Sequence, residues 1–144
     1  WSSDVCSSDL YVTDPGKSAA FYTDFSFVLL YVADPGKSAA FYTDLLGHTP
    51  VEASPTFAML PLRHDVMLGL WKREGVEPAP VGLSGASEIA LTVADARAVH
   101  TTHASWASRG IRIAQEPTRM DFGHTFTAMD PDGHRIRVLA PEGP

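Results

Sequence analysis

The six histidines are the side chains best able to hold a metal or move a proton, and their spacing argues for little of either. His100 and His103 stand three apart and would share a helix face that a metal could bridge. No cysteine or carboxylate flanks them, so one inward-leaning and one solvated histidine is the plainer reading. His48, His64, His124 and His134 fall at expected turns or strand ends, where polar residues are ordinary. No nucleophile has a base beside it at a useful spacing. Asp34 to Ser38 ends in Gly-Lys-Ser but lacks the earlier glycine of a phosphate-binding loop. The remaining chemistry is aromatic. Phe57, Trp71, Phe122 and Phe126 lie on or beside expected strands, where a flat ligand stacks at about 0.5–1.5 kcal/mol per ring contact beyond area burial. The competing reading for each ring is core, and Trp106 belongs there because it continues the inward face of its helix.

These side chains must be positioned by elements that the chain writes twice. Val32-Ala33-Asp34 opens one helix ending at Gly47, and Val93-Ala94-Asp95 opens another ending at Gly110. Asp34 and Asp95 are 61 positions apart, and each follows an apolar, strand-like run. Strand, capped helix and glycine stop recurring as a unit signal a duplicated fold with its site between two similar halves.

A second repeat is of a different kind. Residues 11 to 24 match residues 31 to 44 with only Thr13 against Ala33 differing, and the ten residues before them resemble the translation of a common short-read sequencing adapter. Residues 1–24 therefore read as an adapter and assembly artefact, the alternative being a disordered extension with a recent local duplication. With them goes Cys6, so residues 25–144 offer neither a disulfide nor a thiol nucleophile, as suits a reducing cytoplasm. The whole-chain net charge of -6 becomes about -3, from 13 acidic and 10 basic residues in 25–144. No basic stripe points to nucleic acid. No apolar run approaches the roughly 20 residues of a membrane helix.

Residues 25–32 read as a buried strand, and Asp34 caps a helix with Pro35 at its first position. Ser38, Phe41, Tyr42, Leu45 and Leu46 make its inward face, and Gly47 its left-handed stop. Strands are expected over 49–53, 56–62 and 66–72. The Pro- and Gly-rich stretch 73–86 links the halves. In the second half a strand over 87–94 precedes a helix capped by Asp95, with Val99, Thr102, His103 and Trp106 inward. Strands over 112–116, 124–129 and 134–139 follow, the turn Asp130-Pro131-Asp132-Gly133 preceding the last.

The class is α+β: two tandem βαβββ modules, 25–72 and 87–141, in one domain spanning 25–144. This order, the helix opening DPGKSAAFYTDLLG and the closing DPDGHRIRV resemble the vicinal oxygen chelate superfamily of glyoxalases, ring-cleaving dioxygenases and bleomycin-resistance proteins. The resemblance implies sheets curled as half-barrels around a ligand cavity, and a homodimer. It also implies a place for a divalent metal, held by one ligand on the first and last strands of each half. A first-strand ligand seven residues before the capping Asp falls on Phe27 and on Glu88; the last-strand positions fall on Gly69 and Arg137. Phenylalanine and glycine offer no ligand atom, and a guanidinium repels a cation. One carboxylate cannot hold a catalytic metal, since such sites need several convergent donors.

No metal, cofactor or catalytic residue is therefore expected, and the chain looks like the drug-binding branch of the superfamily. The expected site joins Phe57, Trp71, Phe122 and Phe126 with Glu88 and Arg137, the latter pairing with a ligand carboxylate or with Glu88. Met120, Asp121 and Phe122, followed by Gly123, either form a lip of the cavity or are a plain hairpin. The expected ligand is a small planar aromatic compound, an antibiotic among the candidates. The alternative is a metal-dependent lyase, isomerase or dioxygenase of the same superfamily.

Overall fold

A computed structural model describes residues 26–63 and 65–142. The reading of residues 1–24 lies outside these. The first module runs β1 (Phe27–Val32), α1 (Pro35–Leu46), β2 (Glu52–Ala53), β3 (Phe57–Arg63) and β4 (Val66–Lys72). After a short 3₁₀ turn at Arg73–Gly75, the second runs β5 (Glu88–Thr92), α2 (Ala96–Ser108), β6 (Arg112–Met120), β7 (Gly123–Met129) and β8 (Arg135–Pro141). The strands form two separate four-stranded sheets, ordered β1-β4-β3-β2 and β5-β8-β7-β6, with no closed barrel among the described residues. In each sheet the first strand pairs parallel with the last, and the other pairs are antiparallel. The βαβββ order is thus present twice.

The helix signals work as the sequence predicts. Asp34 is extended, and its Oδ1 accepts from the backbone N–H groups of Gly36 and Lys37 at 3.0 and 3.2 Å. Pro35 opens the helix, where its missing N–H costs no bond. Gly47 closes it at φ 76°, which a residue with a Cβ adopts only under strain. Asp95 repeats the cap on Ala98 N at 2.9 Å. Because each cap satisfies N–H groups that the helix leaves open, Asp34→Ala is expected to cost about 1 kcal/mol of unfolding free energy. Urea denaturation followed by circular dichroism reads this directly.

Each sheet buries one face under its own helix. Leu30, Val32, Ala58, Leu60, Leu68 and Leu70 meet Ala39 and Tyr42 of α1, and Phe126, Ala128, Ile136 and Val138 meet Val99 and Trp106 of α2. Strand alternation sends the intervening residues to the opposite, helix-free face. The β6–β7 connection is a hairpin in which Met120 pairs with Gly123. Gly123 has φ 133°, and a Cβ there would collide with the Ala140 carbonyl, so only glycine fits.

A polar seam joins the modules. The turn between β7 and β8 docks on the end of β1 and the start of α1. Asp132 Oδ1 accepts from Ala33 N at 3.0 Å and its Oδ2 from the Ser38 hydroxyl at 3.3 Å. The Tyr42 hydroxyl donates to the fully buried Asp130 at 2.7 Å, and His134 Nε2 donates to the Tyr31 carbonyl at 2.9 Å.

Candidate ligand-binding site

The helix-free face of the first sheet is apolar. Phe27, Leu29, Phe57 and Trp71 line an open cavity of about 400 Å³ there. Phe27 and Leu29 remain 43% and 44% exposed, far more than large apolar side chains on a strand keep when something covers them. Beneath Leu29 and Phe57 lies Gly69: a Cβ on it would lie 2.5 Å from Leu29 Cδ2 and 3.0 Å from Phe57 Cζ. The missing side chain is what lets those two side chains close over the strand. Tyr31 meets Trp71 edge-on, ring centroids 6.2 Å apart, and fixes the tilt of the indole at the cavity's end.

The equivalent face of the second sheet is polar. Glu88 and Arg137 form a two-point ion pair, Nε to Oε1 at 2.5 Å and Nη2 to Oε2 at 3.2 Å. Arg137 Nη1 also donates to Gln115 Oε1 at 3.0 Å and to Thr125 Oγ1 at 3.1 Å, and the Thr127 hydroxyl donates to the same Gln115 oxygen at 3.1 Å. The guanidinium carbon lies 5.9 Å from the centre of the Phe122 ring, within cation–π reach. Hydrogen bonding from Arg137 holds the Glu88 carboxyl below its ordinary range, with the charges of Arg137 and Arg135 acting the same way.

That depression gives a pH signature. A carboxylate with a lowered folded-state value contributes stability above its unfolded value, and this is lost as pH falls through the folded one. Glu88→Gln is therefore expected to shrink the acid-side loss of stability while leaving the slope above the carboxylate range unchanged. Melting temperatures measured across the acid range check it.

The duplication holds at the level of register. Phe27 pairs with Met67 and Glu88 with Arg135, and Gly69 and Arg137 each stand two residues beyond those partners. The four positions counted for a metal thus occupy equivalent places, but they do not fit one. In the first module Leu29 and Phe57 close over Gly69; in the second the lone carboxylate is engaged by a guanidinium. Among the described residues no group of three or more His, Cys, Asp or Glu is placed to hold a metal. His103 instead sits 3.0 Å from Glu116 with its ring against Phe126, and the His100 ring is 6.4 Å from His124.

The expected site residues divide accordingly. Phe57 and Trp71 share the apolar cavity, and Glu88, Arg137 and Phe122 form the polar cluster. Arg137 pairs with Glu88, one of the two partners expected for it. Met120 and Asp121 stand exposed at the hairpin, the Met120 sulfur accepting from Gln115 Nε2 at 3.4 Å. Phe126 is a correction: it is fully buried on the helix side, its ring 5.4 Å from Trp106, and belongs to the core. The physical reason is parity, since Phe126 shares its face with Ala128 while Arg137's partner Thr125 shares the other with Thr127. The sequence reading missed Phe27 and Leu29, which line the cavity, and Gln115, Thr125 and Thr127, which build the hydrogen-bond network of Arg137. For Phe27 the signal was available, because the count back from Asp34 located it and asked only whether it could bind metal.

The matching family model is the Glyoxalase/Bleomycin resistance protein/Dioxygenase superfamily, over residues 25–138, and the chain belongs to that family. Within it, the chain is 32% identical over 92 residues to the phenazine antibiotic resistance protein EhpR of Enterobacter agglomerans, covering 62% of this chain and 70% of that protein. Among solved structures it is similar to protein ATC0852 from Agrobacterium tumefaciens, with 45% identity, a TM-score of 0.77, and coverage of 84% of this chain and 99% of that one. A glyoxalase/bleomycin resistance protein/dioxygenase from Nocardioides, 23% identical, shares the fold with a TM-score of 0.72 over 85% of this chain and 86% of its own. Among the described residues no helix is long and apolar enough to cross a membrane.

Proposed function

We propose that this protein binds and sequesters a planar aromatic compound, of which a phenazine-type antibiotic is an example, without a metal and without transforming it. The observation that carries the reading is the apolar cavity of about 400 Å³ walled by Phe27, Leu29, Phe57 and Trp71, with Phe27 standing at one of the four positions counted for a metal ligand. A slot of that size and lining suits a small ring system, which gains burial along both faces and stacking on the walls. The likeness to a phenazine antibiotic resistance protein supports the same ligand class. The binding form is a homodimer in the cytoplasm. Phe27 and Leu29 on one sheet and Met120 and Phe122 by the other leave large apolar surfaces for a second copy to cover.

Titration with phenazine by calorimetry, in parallel with Trp71 fluorescence and in the presence and absence of EDTA, tests this. Saturable binding with quenching that EDTA leaves unchanged is expected. No saturable binding across a broad panel of planar aromatic compounds would overturn the reading. Stoichiometric metal in the purified protein, lost on Glu88→Ala, would replace it with a metal-dependent enzyme.

A further inference from the structure

The side chains that line the cavity differ in one chemical respect. Phe27, Leu29 and Phe57 carry only carbon and hydrogen, whereas Trp71 brings an indole N–H, which donates and does not accept. Among the described residues that N–H has no acceptor, and it is not sealed from solvent: the sealed side-chain atoms without a partner are Thr43 Oγ1 and His103 Nε2. The turn that follows Trp71 does not occupy it either. Glu74 faces Lys72 at 3.8 Å, and the Arg73 guanidinium donates to the Gly82 carbonyl at 2.7 Å. A Cβ on Gly75 would lie 3.9 Å from Trp71 Nε1, so the bare glycine leaves that edge of the indole uncovered. The ring itself is held. Tyr31, whose carbonyl accepts from His134 Nε2 at 2.9 Å, meets it edge-on, which presents the donor at a set angle. The donor thus belongs to the cavity wall, and a ring that contacts Trp71 lies within one side chain's width of it.

A ligand that settles against Trp71 displaces water from this donor. A hydrocarbon ring offers nothing in exchange and leaves the N–H unpaired, which is costly for a polar group removed from water. A ring whose edge carries an in-plane lone pair replaces the lost bond, while its faces stay free for Phe27 and Phe57. We propose that the Trp71 indole N–H donates to the bound ring, and that it selects planar aromatic compounds with an in-plane acceptor, an aza nitrogen or a ring carbonyl, over hydrocarbons of the same shape. This deepens the binding reading above and rests on it. The discrimination follows from the donor's need: a site with a polar group to satisfy rejects the analogue that leaves it unpaired.

Phenazine and anthracene share one shape and differ in the ring nitrogens, so the pair isolates the contact. Wild type, Trp71→Phe and Gly75→Val are each titrated into a trace of either compound, binding is followed by the compound's own absorption or emission, and melting temperatures are recorded. Trp71→Phe keeps an aromatic wall and removes the donor. Both compounds should bind it more weakly through the smaller ring, and phenazine should lose about fivefold more than anthracene, the range for one hydrogen bond between neutral partners. Gly75 lies outside the left-handed region, so Gly75→Val brings no backbone strain and crowds the N–H from beyond the lining. It should weaken phenazine and leave anthracene unchanged. In a proton–nitrogen spectrum the Trp71 indole signal, identified by its loss in Trp71→Phe, should move further downfield with phenazine than with anthracene, whose ring current is comparable. Equal losses for the two compounds in Trp71→Phe, or an indole signal that answers both alike, would sink the assignment while the binding reading stands. Where anthracene binds the wild type too weakly to measure, the indole signal decides: a downfield move with phenazine supports the assignment, and none overturns it. Failure of phenazine to bind also overturns it, and failure across the broader panel takes the binding reading with it.

Discussion

Asp130→Ala is expected to remove about 4 kcal/mol of stability, a large share of the roughly 5–15 kcal/mol that a domain possesses. Asp130 is fully buried, and its carboxyl accepts three hydrogen bonds: from the Tyr42 hydroxyl at 2.7 Å, from Asp132 N at 2.8 Å and from His134 N at 2.9 Å. Truncation strands three donors in a site without solvent and leaves a void, and each buried donor without a partner costs about 1–3 kcal/mol. The loss reaches further than one turn. Asp130 shapes the loop whose Asp132 holds Ala33 and Ser38, so the seam between modules loosens with it. Tyr42→Phe is the milder probe, at about 1–2 kcal/mol, because Asp130 keeps both backbone donors. Urea denaturation of the two variants should show that order. Alkali supplies an independent reading. Burial, and then the negative charge of Asp130, push the Tyr42 hydroxyl well above the ordinary tyrosine range. A raised folded-state value means that stability is full below the unfolded value and falls as pH rises above about 10. The wild type should lose stability there more steeply than Tyr42→Phe, and equal alkaline slopes would count against the buried bond.

The seam marks the limit of what the sequence made readable. The elements were legible because their signals are local: Asp34 and Asp95 cap, Pro35 starts, Gly47 stops, and each signal acts within one turn of helix. The duplication was legible for the same reason, and it set the equivalence of Phe27 with Glu88 that the register bears out. Tyr42 and Asp130 are 88 positions apart, and no local pattern announces that a helix tyrosine finds a turn carboxylate. The end of β6 was missed through Pro117, a residue that argues against a strand. The strand passes it at the sheet edge by shifting register between Gln115 and Thr118, and so runs on to Met120. Phe126 was misassigned because β7 is buried on both faces: Phe126 and Ala128 under the helix, Thr125 and Thr127 under the Arg137 network. A strand covered on both sides loses the two-residue alternation that tells one face from the other.

The cavity makes the other large prediction, because its shape depends on an absent side chain. Gly69→Val places three carbons where the first alone would meet Leu29 Cδ2 and the Phe57 ring. The backbone at Gly69 lies outside the left-handed region, so the substitution brings no conformational strain of its own. What must move are the ends of two side chains that face open space, and the space they enter is the cavity itself. Leu29 and Phe57 swing inward, the walls lose their separation, and a flat ligand loses its contacts with Phe57 and Leu29. Two wall contacts at about 1 kcal/mol each amount to roughly 2 kcal/mol, or about thirtyfold in affinity. Phenazine titration of Gly69→Val should show that loss, while its urea midpoint stays near the wild-type value because no core residue under α1 has been displaced. Trp71→Leu separates filling from facing: it opens the same cavity and removes one stacking wall, so affinity falls through a lost contact instead of a lost volume. Unchanged phenazine affinity in Gly69→Val would mean that the ligand lies elsewhere than over Gly69, and would move the site away from the first sheet.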